Sequence, residues 1–234
     1  MKSLILSKLP AFGGFTAAVF ALAPALSSAA LIQTNVSNLN QQSYASDVSN
    51  SDLINGLTAT AVSGWNLASG NPSQLNDGVH GANNPPVQGA WTNVGATVTY
   101  SLGLGSGFGY DLTSIQSIAS WSNDGYGNQA YTVEVRLAGS GLFTTLANVN
   151  NTPFTTGTTT SGGATKTTLT DGTGVLASGV EFIRFTATTA GASVGGATVF
   201  REIDVNGVAS VPEPTSLVLL SLGTLGLIRR RRSH

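Results

Sequence analysis

Apolar residues recur at every second position in four stretches of the middle of the chain, and that period leaves few folds open. Val94, Ala96, Val98, Tyr100 and Leu102 share one face, with small or polar residues between them. Successive side chains of a strand point to opposite sides, so a period of two marks a strand with one buried face. Tyr131, Val133, Val135 and Leu137 repeat the pattern, with Glu134 and Arg136 directed at water, and Ile183, Phe185 and Ala187 repeat it opposite Arg184. In the stretch Ala197 to Val205, Val199, Ile203 and Val205 face inward while Phe200, Glu202 and Asp204 face outward. Arg201 then falls on the inward face, which demands either a sheet edge or a bulge that shifts the register. Turn sequences separate these stretches at Asn76-Asp77-Gly78, Asp124-Gly125 and Asp171-Gly172. Gly, Thr, Ser, Asn and Val dominate, and no helical period of any length appears. The expected fold is all-β, an antiparallel β-sandwich of the jelly-roll kind.

Two stretches carry no such signal. Asn35 to Asn55 is polar and reads as a leading loop or a short helix. Thr152 to Gly174 is a Thr/Gly-rich run of 23 residues, long for a connection in a compact domain, and reads as a loose hairpin or a surface loop. Trp65 and Trp91 are expected in the core. There is no internal repeat.

Both ends of the chain differ from its middle. Lys2 and Lys8 precede an apolar stretch, Ala11 to Leu26, followed by Ser27-Ser28-Ala29-Ala30. Charge, apolar run and small-residue exit are the order of a secretory signal peptide over residues 1–30, cut by signal peptidase after Ala30. At the other end come Val211-Pro212-Glu213-Pro214, an apolar run from Thr215 to Ile228, and Arg229-Arg230-Arg231-Arg232. The run of 14 residues spans roughly 21 Å as a helix against a hydrocarbon core of about 30 Å, which is short for a permanent span. Four arginines at its end hold the C-terminus in the cytoplasm. Residues 211–234 resemble the PEP-CTERM sorting signal of Gram-negative bacteria. In that family Pro212, Glu213 and Pro214, the apolar helix, and Arg229, Arg230, Arg231 and Arg232 correspond to the features read by an exosortase. The resemblance implies transient residence in the inner membrane and a final place at the cell surface or outside the cell.

Between the signals lie residues 31–210, enough for one domain with a real core. They contain four basic and ten acidic residues, a net charge of −6, although the whole chain is near neutral at −1. A mildly acidic domain lacks the clustered Lys and Arg that nucleic acid requires. The chain has no cysteine, so an exported domain must hold together through its core, with or without a bound ion.

The series Leu75-Asn76-Asp77-Gly78, Trp91, and Ala96 to Gly103 resembles the opening of a discoidin-type, galactose-binding-like domain. Ile115 to Trp121, Tyr131 to Arg136, Phe143 to Leu146, Gly179 to Phe185 and Arg201 to Gly207 continue it, over roughly Leu57 to Gly207. The chain departs from the family in lacking the cysteine pair of many members and in carrying the Thr/Gly insertion. The resemblance implies a structural calcium ion as cofactor, an ion that takes six to eight oxygen ligands. Asp77 and Asn84 in the loop from Asn76 to Asn84, with Glu202 on the closing strand, are its implied ligands. The alternative for Asp77 is an Asx turn before Gly78.

Sugars stack their apolar faces on aromatic rings and hydrogen-bond at their rims. The turn-rich stretch Trp121 to Gln129 offers Trp121, Asn123, Asp124, Tyr126 and Asn128 for that chemistry, or else Trp121 ends a core strand with Tyr126 packed over it. Catalytic patterns are weak. Gly191-Ala192-Ser193-Val194-Gly195 matches a nucleophile-elbow string, yet that elbow must lie between a strand and a helix, and a strand is expected after it. Its base would have to be His80, the one histidine of the mature domain, which reads as a solvated loop residue. The expectation is a non-catalytic, sorted surface or matrix protein that binds exopolysaccharide or another glycan. The alternative is a secreted glycan hydrolase using a carboxylate pair.

Overall fold

The computed structural model describes residues 30–67, 70–81, 89–155, 162–190 and 196–211. Among them are nine strands: β1 (Leu31–Asn38), β2 (Ala61–Trp65), β3 (Ala90–Ser101), β4 (Tyr110–Trp121), β5 (Gln129–Leu137), β6 (Thr144–Asn151), β7 (Gly163–Asp171), β8 (Ala177–Ala187) and β9 (Val199–Ala209). All their pairings are antiparallel. No helix among the described residues is long and apolar enough to cross a membrane. The signal-peptide and apolar-helix readings at the two ends lie outside the described residues, apart from residues 30 and 211.

The strands form two facing layers, β2-β3-β8-β5-β6 and β1-β7-β4-β9. Only two residue pairs join β3 to β9, and two more join β4 to β8. The sheet therefore turns a corner at those strands, and its two halves stack as a sandwich. Val98, Tyr100, Tyr131, Val133, Val135, Ile183 and Phe185 meet Leu112, Ile115, Ala119, Leu169, Phe200, Ile203 and Val205 in one core. Tyr131 ties the layers together: its ring lies 5.6 Å from that of Phe200, and its hydroxyl is 2.7 Å from Ser117 Oγ. The free edges also meet, since Asn35 Nδ2 on β1 donates to the carbonyl of Asn150 on β6 (3.2 Å).

The alternation holds in β5 and β8 and fails where the sheet is irregular. Val94 leaves its expected face and is 50% exposed. The β2–β3 register slips between Ser63 and Trp65, and Gly64 and Gly95 adopt positive φ of 76° and 85°. A Cβ on Gly64 would stand 2.9 Å from the Ala96 backbone, so the strands close on each other only because that position is glycine. Arg201 occupies a bulge, as one of the two sequence readings requires: Ile118 pairs with Glu202 and Ala119 with Phe200, leaving Arg201 as the extra residue.

The outward placing of Phe200, Glu202 and Asp204 is corrected. All are buried, because β9 is an interior strand covered on both faces. On its outer side the segment before β2 lies across it, with Leu53 N donating to Val205 O and Ser49 N to Asp204. Glu134 and Arg136 are only half exposed. Glu134 accepts two hydrogen bonds from Arg184 (2.7 and 2.8 Å), and the Arg136 guanidinium lies 3.7 Å from the centre of the Phe182 ring. Residues 35–38, the start of the stretch read as a leading loop or short helix, belong instead to strand β1. Nine residues of the Thr/Gly run are strand β7, held between β1 and β4.

Candidate functional site

Strand β4 ends at Trp121, and the chain turns back into β5 through one 3-10 turn, Asp124–Gly127. The Asn123 carboxamide oxygen accepts from Gly125 N (3.1 Å) and starts that turn. Asn128 stops it. Its Nδ2 donates to Phe154 O (2.8 Å) and its Oδ1 accepts from Phe154 N (3.0 Å), so one side chain pairs with the backbone as a neighbouring strand would. Two glycines let the turn sit on β7. A Cβ on Gly127 would lie 2.5 Å from Gly163 O, and one on Gly163 would lie 2.7 Å from the Asp124 Cβ and 2.8 Å from the Phe154 ring.

The turn gathers three aromatic rings. Trp91 packs 5.7 Å from Trp121, edge to face at 71°, and 4.4 Å from Tyr126 at 56°. All three are half-buried. The Arg201 guanidinium stands 5.4 Å from the Trp121 ring, and its Nε donates to Ser120 O (3.1 Å) and Ser120 Oγ (2.9 Å). The bulge in β9 thus sets a cation beneath the cluster. Burial lowers the Arg201 pKa to about 10, which leaves it charged at neutral pH.

Of the five residues read as ligand contacts, Trp121, Asn123 and Tyr126 stand at this surface. Asn128 is fully buried and Asp124 is 2% exposed, so both lie under the turn. Trp91, read as core, belongs to the cluster instead. Its place at the start of β3 opposite Val199 was not readable from its neighbours in sequence. Trp65 does pack against the core and donates Nε1–H to Thr97 O (2.8 Å).

Of the residues read as metal ligands, Glu202 lies further along β9 and Asp77 in the loop that follows Leu75. Asp77 Oδ1 accepts from Val79 N (3.0 Å), the Asx turn expected as its alternative role. Glu202 is fully buried and accepts from Gly78 N at 3.3 Å, while its Oε2 has no hydrogen-bond partner. Asp52 and Asp204 are near enough to act on it. Burial first, then repulsion from Asp204, Asp77 and Asp52, raises the Glu202 pKa to about 9. Burial and Asp52 raise Asp204 to about 6. Asn84 lies outside the described residues, among which no three acidic or histidine side chains converge tightly enough to hold an ion alone. Beside Asp77 opens a cleft of about 440 Å³ lined by Leu57, Val62, Leu67, Asn71, Asn76 and Tyr100. The polar groups at its base are already engaged: the Asn76 amide binds the carbonyls of Ile54 and Leu57 and accepts from the Tyr100 hydroxyl.

His80 is buried, not solvated; its Nδ1 faces Gly81 O at 3.3 Å, and burial lowers its pKa. The Gly191–Gly195 string lies outside the described residues.

Residues 210–232 match the PEP-CTERM protein-sorting motif. No curated protein matches the sequence. Solved structures similar to the chain include a mutant lectin-binding domain of lectinolysin in complex with Lewis b, at 10% identity and a TM-score of 0.43, covering 70% of this chain and 99% of that one. A fucose-binding module from Streptococcus pneumoniae is similar at 14% identity and a TM-score of 0.41, covering 66% and 94%. A family 32 carbohydrate-binding module from C. perfringens, in complex with galactose, is similar at 17% identity and a TM-score of 0.40, covering 74% and 98%. The strand topology makes the chain an antiparallel β-sandwich, and residues 210–232 carry a PEP-CTERM sorting motif, the mark of an exported protein handled by an exosortase at the membrane.

Proposed function

We propose that this protein is a non-catalytic glycan-binding module, exported by a signal peptide over residues 1–30 and sorted through residues 211–234 to the cell surface or extracellular matrix of a Gram-negative bacterium. Exopolysaccharide is its ligand there. The observation that carries the reading is the cluster of Trp91, Trp121 and Tyr126. Three rings left half-exposed at one end of a rigid sandwich offer a stacking surface for the apolar face of a sugar ring. Asn123 uses its Oδ1 to cap the turn, which leaves its Nδ2 for a sugar hydroxyl. Asp124 and Asn128 position the turn from below.

Glycan-array screening followed by calorimetric titration tests this. Trp121→Ala and Tyr126→Ala should each weaken binding at least tenfold, about 1.4 kcal/mol, without unfolding the domain. Unchanged affinity in both variants removes the site. Release of reducing ends, abolished by changing a single carboxylate, would replace this reading with the hydrolase.

The residues also fit a structural calcium ion. Glu202 presents a buried carboxylate oxygen with no partner, Asp52 Oδ2 is likewise buried and unpartnered, and Asp77 lies beside Glu202. Glu202 and Asp77, with Asn84 and backbone carbonyls, would hold the ion. An ion bound there would take the place of the proton on Glu202, and the Glu202 and Asp77 carboxylates would tie the loop after Leu75 to β9 through it. Melting in chelator and in calcium across pH measures it.

A further inference from the structure

Four segments meet at the end of the sandwich from which the chain leaves: residues 102–109, 138–143, 172–176 and 207–211. Backbone bonds lock them to one another or to the strands between them. Ser210 N donates to Gly109 O (2.9 Å), Ala138 N to Gly179 O (2.8 Å) and Leu176 N to Leu112 O (2.7 Å). None of the four contains a charged residue. Instead they expose Leu104 (48%), Phe108 (50%), Leu142 (77%), Val175 (38%), Val208 (62%) and Val211 (73%). Of the flanking carboxylates, Glu181 stays half-exposed on β8, where its backbone carbonyl accepts from Leu102 N, and two others are engaged within the protein. Asp111 Oδ1 accepts from Ser210 Oγ (2.6 Å) and Gly179 N (3.1 Å), and Asp171 Oδ1 accepts from Thr173 N and Oγ1.

What covers this end follows from where the chain goes next. Val211 precedes Pro212-Glu213-Pro214, and the apolar run starts at Thr215. Three residues reach at most about 10 Å even when fully extended. The polar headgroup layer is itself only about 5–8 Å deep on each side. While the run sits in the bilayer, the exit end is held against the headgroups, with its uncharged apolar loops facing lipid.

We infer that this end of the sandwich seats on the lipid surface before processing, the exposed leucines, valines and phenylalanine entering the interface as amphipathic anchors do. The seating presents the Pro212-Glu213-Pro214 segment at membrane level and turns the aromatic cluster, at the opposite end of β4, away from the membrane. The inference rests on the reading of residues 215–228 as membrane-inserted, and its test separates the two.

The chain lacks cysteine, so Phe108→Cys, Leu142→Cys, Thr188→Cys and Leu219→Cys each create one labelling site. The full chain carrying an environment-sensitive fluorophore is reconstituted into phosphatidylethanolamine–phosphatidylglycerol vesicles and quenched with a nitroxide on the lipid acyl chain. The expected result is quenching at 219, 108 and 142 and none at 188, on the far end of β8. Quenching at 219 with 108 and 142 as silent as 188 overturns the seating and leaves the tail reading intact. No quenching at 219 overturns both. Quenching at 108 and 142 that needs co-reconstituted exosortase, or that disappears on diluting the chain per vesicle, overturns direct seating on lipid in favour of the enzyme or a second copy.

Discussion

Glu202 concentrates the chemistry of the domain at one residue. It is fully buried on a strand covered from both sides, with Asp52, Asp77 and Asp204 around it and one carboxylate oxygen without a partner. Its folded pKa of about 9 and that of Asp204, about 6, stand well above ordinary carboxylate values of about 4. Between these limits the folded state binds more protons than the unfolded one, so stability falls as pH rises. The contribution is complete below about pH 4, is lost through both groups between about pH 4 and pH 6, and through Glu202 alone from there to about pH 9. In chelator the melting temperature should therefore fall steadily from pH 5 to pH 9. Calcium at millimolar concentration should flatten that slope by replacing the proton, and Glu202→Gln should remove most of the slope above pH 6 in chelator. A wild-type melting temperature that ignores both pH and calcium would sink the ion site. The Asx turn at Asp77 was legible in the sequence. The burial of Glu202 was not, because a strand with both faces covered has no alternation to betray it.

At the scale of elements, the strands that sequence reveals are those with one dry face. In β5, Tyr131, Val133 and Val135 alternate with Thr132, Glu134 and Arg136, and the burial follows that order. Strands β1 and β7 are written in Thr, Asn and Ala, and the apolar residues of β1 remain exposed at the edge. Their identity comes from pairing with distant strands, which no local window contains. The same holds for the candidate site. Trp121 and Tyr126 announce themselves beside Asn123-Asp124-Gly125, whereas Trp91 joins them only because β3 begins opposite β9. The turn that carries Tyr126 depends on β7 as well, through the contact of Gly127 with Gly163. Gly127→Ala forces a Cβ against a backbone carbonyl at 2.5 Å, which cannot move without shifting β7. The variant should lose about 1–3 kcal/mol by chemical denaturation, in the range of overpacked cores. It should also change the near-ultraviolet circular dichroism of the Trp91–Trp121 pair and weaken glycan binding. Full retention of all three would mean that the turn does not rest on β7.

At the scale of the whole molecule, the two ends decide what the domain is once delivered. The last four arginines are part of a total of ten basic residues, so the net charge of −1 becomes −6 when residues 1–30 and the tail are gone. An apolar run of 14 residues is shorter than the roughly 20 that a stable helical span requires, which suits a segment that is gripped and cut. Among the described residues the buried core runs from Ile54 to Val205. Intact-mass spectrometry of protein recovered from the cell surface or medium should give a species beginning at about Leu31 and ending close to Pro212-Glu213-Pro214. Deleting the exosortase should leave it in the inner membrane with the tail attached. Surface protein that still carries Arg229 to Arg232 would mean that the tail is a plain anchor. The exit end would then stay on the membrane permanently, and the glycan would be held at the inner membrane, not beyond it.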